Sequence, residues 1–184
     1  MADYEVSGAW VEAIVRALKS SPQFDALFQK LSPPVKEMVS NPWAETWHPA
    51  LSLEAVGEAA IAAIGAPAFE ELAYIAVRDR FGAIVLPMLK STLASSQRSP
   101  VAVLSKLEAV VKVAMRGIEI TWKPDAGTNS GVVQVQYPRV VAAHVENSWR
   151  GVLRYVFEVT QATGRVERSR HLPAGNALQY LVSW

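Results

Sequence analysis

The feature that most constrains this chain is a change of hydrophobic period at Gly117. Before it, apolar residues recur at helical spacing; after it, in "IEITWK" and "VVQVQY", they alternate with polar ones. Helical spacing lines one face of a helix, and strict alternation lines one face of a strand. Ile118, Ile120 and Trp122 therefore lie opposite Glu119, Thr121 and Lys123, while Val133, Val135 and Tyr137 lie opposite Gln134 and Gln136. The intervening "KPDAGTNSG" is turn chemistry throughout. The two runs predict an antiparallel hairpin with an accessible polar face.

The helical period returns in "ENSWRGVLRYVFEVTQATG", where Trp149, Val152, Leu153, Val156 and Val159 form a broad apolar stripe and Gly164 is the expected stop. The closing "RVERSRHLPAGNALQYLVSW" reads as two more strands. In the last, Leu178, Tyr180, Val182 and Trp184 alternate with Gln179, Leu181 and Ser183, which puts Trp184 on the core face. "RVERSRHLP" is too charged for a central strand; charge on an edge strand deters pairing with other chains.

Upstream, Trp10, Ile14, Ala17 and Leu18 mark a first helix over about residues 8–20. Ser21–Pro22, Ser32–Pro33 and Ser99–Pro100 are N-cap and first-turn pairs. "LSLEAVGEAAIAAIG" has Ser52 as its cap candidate and Gly65 as its stop. Its small face (Gly57, Ala59, Ala60, Ala63) suits a helix close to its neighbours. Gly82 and Pro87 should break or kink the helical run that contains them. The fold class expected is α+β: an N-terminal helical layer packed on a four-stranded antiparallel sheet, with a strand–strand–helix–strand–strand C-terminal unit. A single domain is expected over residues 1–184, with a helical part at 1–116 and a sheet part at 117–184.

This layout resembles the superfamily that holds the vinyl-reductase-type four-strand domain, haem nitric-oxide sensors and TRAPP trafficking subunits. The features that carry the resemblance are Gly151 in the helix, Gly164 at its end, the charged strand, Gly175 in the turn and the aromatic last strand. The whole chain looks closer still to an uncharacterised bacterial domain family common in myxobacteria. The resemblance implies binding of small or lipid-like molecules between helices and sheet, or assembly as dimers. Haem sensors of that superfamily need a histidine on a helix before the sheet and a Tyr-x-Ser-x-Arg motif. Here residues 67–116 contain no histidine and the motif does not occur, which argues against haem by that route.

Composition narrows the chemistry. Eighteen Lys and Arg balance 17 Asp and Glu, so no net field recruits nucleic acid or acidic membrane. Cysteine is absent, which excludes disulfides, thiolate catalysis and cysteine-ligated metals and suits a reducing cytoplasm. Asp3 and Glu5 stand where a signal peptide needs positive charge, and no run is long enough to predict a membrane span. His48, His144 and His171 are far apart in sequence and form no paired metal-binding motif.

"NPWAETWHPA" is the best pocket candidate, because Trp43, Trp47 and His48 join large apolar surfaces to polar tips; the plainer reading is a loop stapled onto the helices. His171 is read as an edge-strand residue, with Arg168 and Arg170 beside it as a weaker anion site. Glu70–Glu71 and Arg78-Asp79-Arg80 are read as solvated helix charges. No catalytic, cofactor-binding or metal-ligating residue is assigned, and no cofactor is expected. The functional expectation is a non-enzymatic cytoplasmic binding or protein-interaction module, as a homodimer or a subunit of a larger assembly. The alternative is a sensor that binds a small hydrophobic or lipid-like ligand between the helix at 51–64 and the sheet.

Overall fold

The computed structural model describes residues 3–43, 46–167 and 175–184, with the main chain alone at residues 80 and 81. Strand β1 (Glu5–Ser7) leads into α1 (Gly8–Lys19), followed by α2 (Phe24–Lys30), α3 (Pro33–Ser40), β2 (Trp47–Pro49) and α4 (Ala50–Ile64). Helix α5 (Ala66–Ala76) passes through a π-helical turn (Val77–Phe81) into α6 (Gly82–Ser95). Then come α7 (Pro100–Leu104), α8 (Leu107–Ala114), β3 (Met115–Arg116), β4 (Glu119–Pro124), β5 (Ser130–Gln136), α9 (His144–Thr160), β6 (Arg165–Glu167) and β7 (Ala177–Ser183).

The four-stranded sheet has the order β4-β5-β7-β6, antiparallel throughout. Its register pairs Ile120 with Val135 and Val133 with Tyr180, as the alternation requires. Val133, Val135, Leu178, Tyr180 and Val182 are fully buried, whereas Glu119 and Thr121 on the other face are exposed. The charged strand β6 is an edge, and the apolar β7 is central. Trp184 lies just past β7, half-buried, its ring centroid 6.3 Å from that of Trp122.

Helix α9 joins the two parts of the molecule. Its apolar stripe buries Trp149, Leu153, Val156 and Phe157, and Tyr180 of the sheet donates its hydroxyl to the Glu146 carbonyl at 3.2 Å. On the opposite side Gly151 lies against α5. A Cβ there would sit 2.9 Å from the Tyr74 nitrogen and 3.0 Å from the Ala73 Cβ. Only hydrogen fits at that crossing.

Several boundaries differ from the sequence reading. A second, three-stranded sheet, β2-β1-β3, had no signal, because strands of two or three residues are too short to show alternation. Ser52 is inside α4, which starts at Ala50 after Pro49. Ser21 does not cap α2; it forms the turn before it, accepting from the Gln23 amide. Helix α9 ends at Thr160 on a left-handed Gln161 (φ 58°) rather than at Gly164. The run with Gly82 and Pro87 yields upstream, in the π turn, and Pro87 sits within α6. Helix α8 ends at Ala114, with Gly117 (φ 83°) reversing the chain two residues beyond it and β3.

Candidate functional site

The aromatic loop does not close a pocket. Trp43 is 57% exposed and donates its indole N–H to Glu12 at 3.1 Å. Trp47 lies under the Arg116 guanidinium, 4.6 Å from its ring centroid, and Arg116 pairs with Glu5 at 2.5 Å. His48 is buried with Nε2 2.7 Å from the Pro42 carbonyl oxygen. These contacts fasten the loop to α1 and the small sheet, which is the stapling alternative. Arg168, Arg170 and His171 lie outside the described residues. Glu70 and Glu71 are not merely solvated: Glu70 takes Arg150 at 3.2 Å and Glu71 takes Arg154 at 2.9 Å, linking α5 to α9. Arg78 and Asp79 pair with each other at the surface, as expected.

The candidate site is in the interior, where two chambers adjoin across Trp10, Met115, Ser148 and Trp149, which line both. The first has about 60 Å³ of room and almost wholly apolar walls. Val85 and Leu89 of α6, Leu107 and Val111 of α8, and Val152 and Val156 of α9 supply most of them. Helical spacing explains this: each pair falls on the inward stripe of its helix. Such walls cannot anchor a charge, but they can hold an apolar body.

The second chamber has about 50 Å³ of room and a polar side. Glu54 is buried there and fully engaged. It accepts from the Tyr4 hydroxyl at 2.5 Å and from two Arg139 nitrogens at 2.8 and 3.2 Å, while Asp3 takes the Arg139 Nε at 2.8 Å. A buried carboxylate needs this company, since removing it from water unpaired is costly. Burial, the neighbouring Tyr137 and the hydrogen bond to Glu54 all push the Tyr4 phenol well above its ordinary pKa, and burial does the same to Tyr137. Both phenols stay protonated.

His144, the first residue of α9, is only 7% exposed. Its Cδ2–Nε2 edge rests where a Cβ on Gly57 would be, at 2.5 and 2.6 Å, so the glycine makes room for the ring. Phe69 meets the ring edge-on at 5.9 Å. Burial lowers its pKa, against the upward pull of Glu54 and Glu58, so the neutral imidazole is favoured. It makes no side-chain hydrogen bond to any described residue, and neither does Ser148 one turn later. The Tyr137 oxygen accepts from the Trp149 indole, but its own proton has no acceptor among the described residues.

The sequence contained one trace of this site, the small face around Gly57. The chamber that α4 lines lies between α4, β1, α1 and α9, and the sheet hairpin contributes only Tyr137, just past β5. Elsewhere a wide open trough of about 630 Å³ runs along α6 past Leu86, Pro87 and Lys90, without convergent polar groups. Among the described residues no group of three His, Cys, Asp or Glu could hold a metal ion, and no helix is long and apolar enough to cross a membrane.

No family model matches the sequence, and no curated protein does. Solved structures do match the fold. The Fe(II) unliganded H-NOX protein from K. algicida superposes with a TM-score of 0.64 at 10% identity, covering 96% of this chain and 95% of that one. A structure that probes heme distortion in the H-NOX family gives 0.63 at 11% identity, covering 97% and 94%. A third, on the mechanism of H-NOX activation, gives 0.56 at 13% identity, covering 96% and 95%. The α+β architecture of this chain is that of the H-NOX fold.

Proposed function

We propose that this chain is a non-enzymatic sensor domain that holds a small apolar molecule in the cleft between α6–α8 and α9. The observation that carries this reading is the apolar chamber closed by Trp10 and Trp149. It has the composition of a ligand site, and it belongs to a fold whose solved examples are H-NOX proteins.

Haem itself does not fit the residues here. Iron needs an axial imidazole, thiolate, thioether or phenolate. The walls of the apolar chamber contain no histidine, and Met115 is the one sulfur among them. A water needs roughly 10–15 Å³ of such room, so about 60 Å³ is room for a small molecule, not for a tetrapyrrole or a lipid chain.

The test is titration of the purified protein with toluene and, separately, with hemin. Toluene should change the tryptophan fluorescence saturably and raise the melting temperature. Val152→Phe, which fills the chamber, should abolish both effects. Stoichiometric hemin uptake with a sharp Soret band would replace this reading with the haem-sensor one.

A second reading, a protein-interaction module, draws on one specific feature. Ile84, Leu86 and Met88 of α6 are each about 40% exposed, and Leu86 lines the open trough. If α6 joins two copies as a homodimer, light scattering will show a concentration-dependent doubling of mass that Leu86→Ser removes.

A further inference from the structure

The second chamber has no role in holding an apolar body, yet it collects polar groups that the protein leaves unsatisfied. Buried polar groups are almost always hydrogen-bonded, so an unpaired imidazole in the interior is costly unless something else completes it. Three groups whose hydrogen-bonding capacity is not filled by any described residue border one accessible space: the buried His144 imidazole, the half-buried Ser148 hydroxyl and the Tyr137 O–H proton. Ser148 also lines the apolar chamber, so a molecule lying along Trp10 and Trp149 would reach all three with one end.

We propose that the chamber at the start of α9 receives the polar end of the ligand, and that the ligand is a small uncharged molecule with one hydroxyl or phenol on an apolar body. This rests on the reading that the apolar chamber binds such a body. The charge pattern excludes an anionic head. Arg139, the cation beside the chamber, is already bound by Glu54 and Asp3, so a carboxylate would face Glu54 with no free positive partner. A neutral hydroxyl meets no such opposition. It can donate to the neutral His144 imidazole and accept from Tyr137 or Ser148. The indole walls formed by Trp10 and Trp149, which line the apolar chamber, favour a flat ring as the body.

The experiment compares three probes of one shape, 4-methylphenol, toluene and 4-methylbenzoate, by tryptophan fluorescence on the intact protein. The hydroxyl should make 4-methylphenol about tenfold tighter than toluene, the worth of one net hydrogen bond. The benzoate should bind more weakly than either. His144→Phe, which keeps a ring without its nitrogens, and the milder Ser148→Ala should each narrow the gap between phenol and toluene while leaving toluene bound. In parallel, the His144 ring resonances should move with 4-methylphenol and not with toluene. Equal affinity for phenol and toluene, or tighter binding of the benzoate, overturns the polar anchor and leaves the apolar site standing. Failure of all three probes to bind overturns the sensor reading and this inference together.

Discussion

The two sides of α9 are packed differently. Towards the sheet, Val133, Val135, Tyr180 and Val182 have no exposed surface, and β7 is hydrogen-bonded on both edges. Towards the cleft, α6 presents Ile84, Leu86 and Met88 to solvent, contains Pro87 and is entered through a π turn. The corner after it turns through two left-handed residues that are not glycine, Gln97 (φ 51°) and Arg98 (φ 61°). Dense burial and paired backbone make a wall that opens only with global unfolding, while a sparsely packed helix opens at lower cost. The proposed sensor would use both: the sheet side would hold α9 and its Trp149 in place, and the α6–α8 side would shift if the chamber filled.

The comparison breaks first if the sheet side is dispensable. Deleting residues 177–184 removes the central strand, separates β5 from β6 and empties the core of Leu178, Tyr180 and Val182. The expected product is unfolded or aggregated protein. Circular dichroism and gel filtration would check it, and a soluble, cooperatively folded deletion would show that α9 is held some other way. Gly151→Val tests the other contact of α9. The added side chain meets main-chain atoms of α5, which cannot step aside, so a loss of about 1–3 kcal/mol is expected in urea melts.

Acid should act through His144. Its folded pKa lies below its ordinary value near 6.5, so in acid the unfolded chain binds the proton more readily than the native one. The stability that the neutral ring contributes is therefore present above about pH 6.5 and is lost as pH falls towards the lowered native value. Glu54 and Glu58, the carboxylates near the ring, moderate this loss but do not reverse it. Melting temperatures measured downward from neutral pH should fall in the wild type before the carboxylates titrate, and His144→Phe should flatten that first decline. The smallest effect is expected on the exposed face of α6. Leu86→Ser and Met88→Ser should each change stability by less than about 0.5 kcal/mol, and hydrogen exchange should find α6 amides less protected than those of β5 and β7.

Residues 118–184 show why some of this was legible in advance. Strands β4, β5 and β7 of the main sheet are six or seven residues long, enough to alternate, and one face of the sheet is buried, so Val133, Val135 and Tyr180 reported their orientation directly. The small sheet was not legible, because β1 and β2 have three residues each and β3 two, and their pairing joins Val6 to His48 and Met115 across the chain. The site was least legible of all. Trp10, Gly57, Tyr137 and the His144–Ser148 turn of α9 belong to separate segments, and no motif marks any of them.

The sequence by itself therefore determined the longer helices, the inward faces and the four-stranded unit, since these follow from local period and turn chemistry. Tertiary structure alone decided which tryptophans line a shared space, that Glu54 is engaged by Tyr4 and Arg139, and that His144 finds no side-chain hydrogen-bond partner among the described residues. Those properties depend on distances between segments far apart in the chain, and side-chain spacing along one segment carries no record of them.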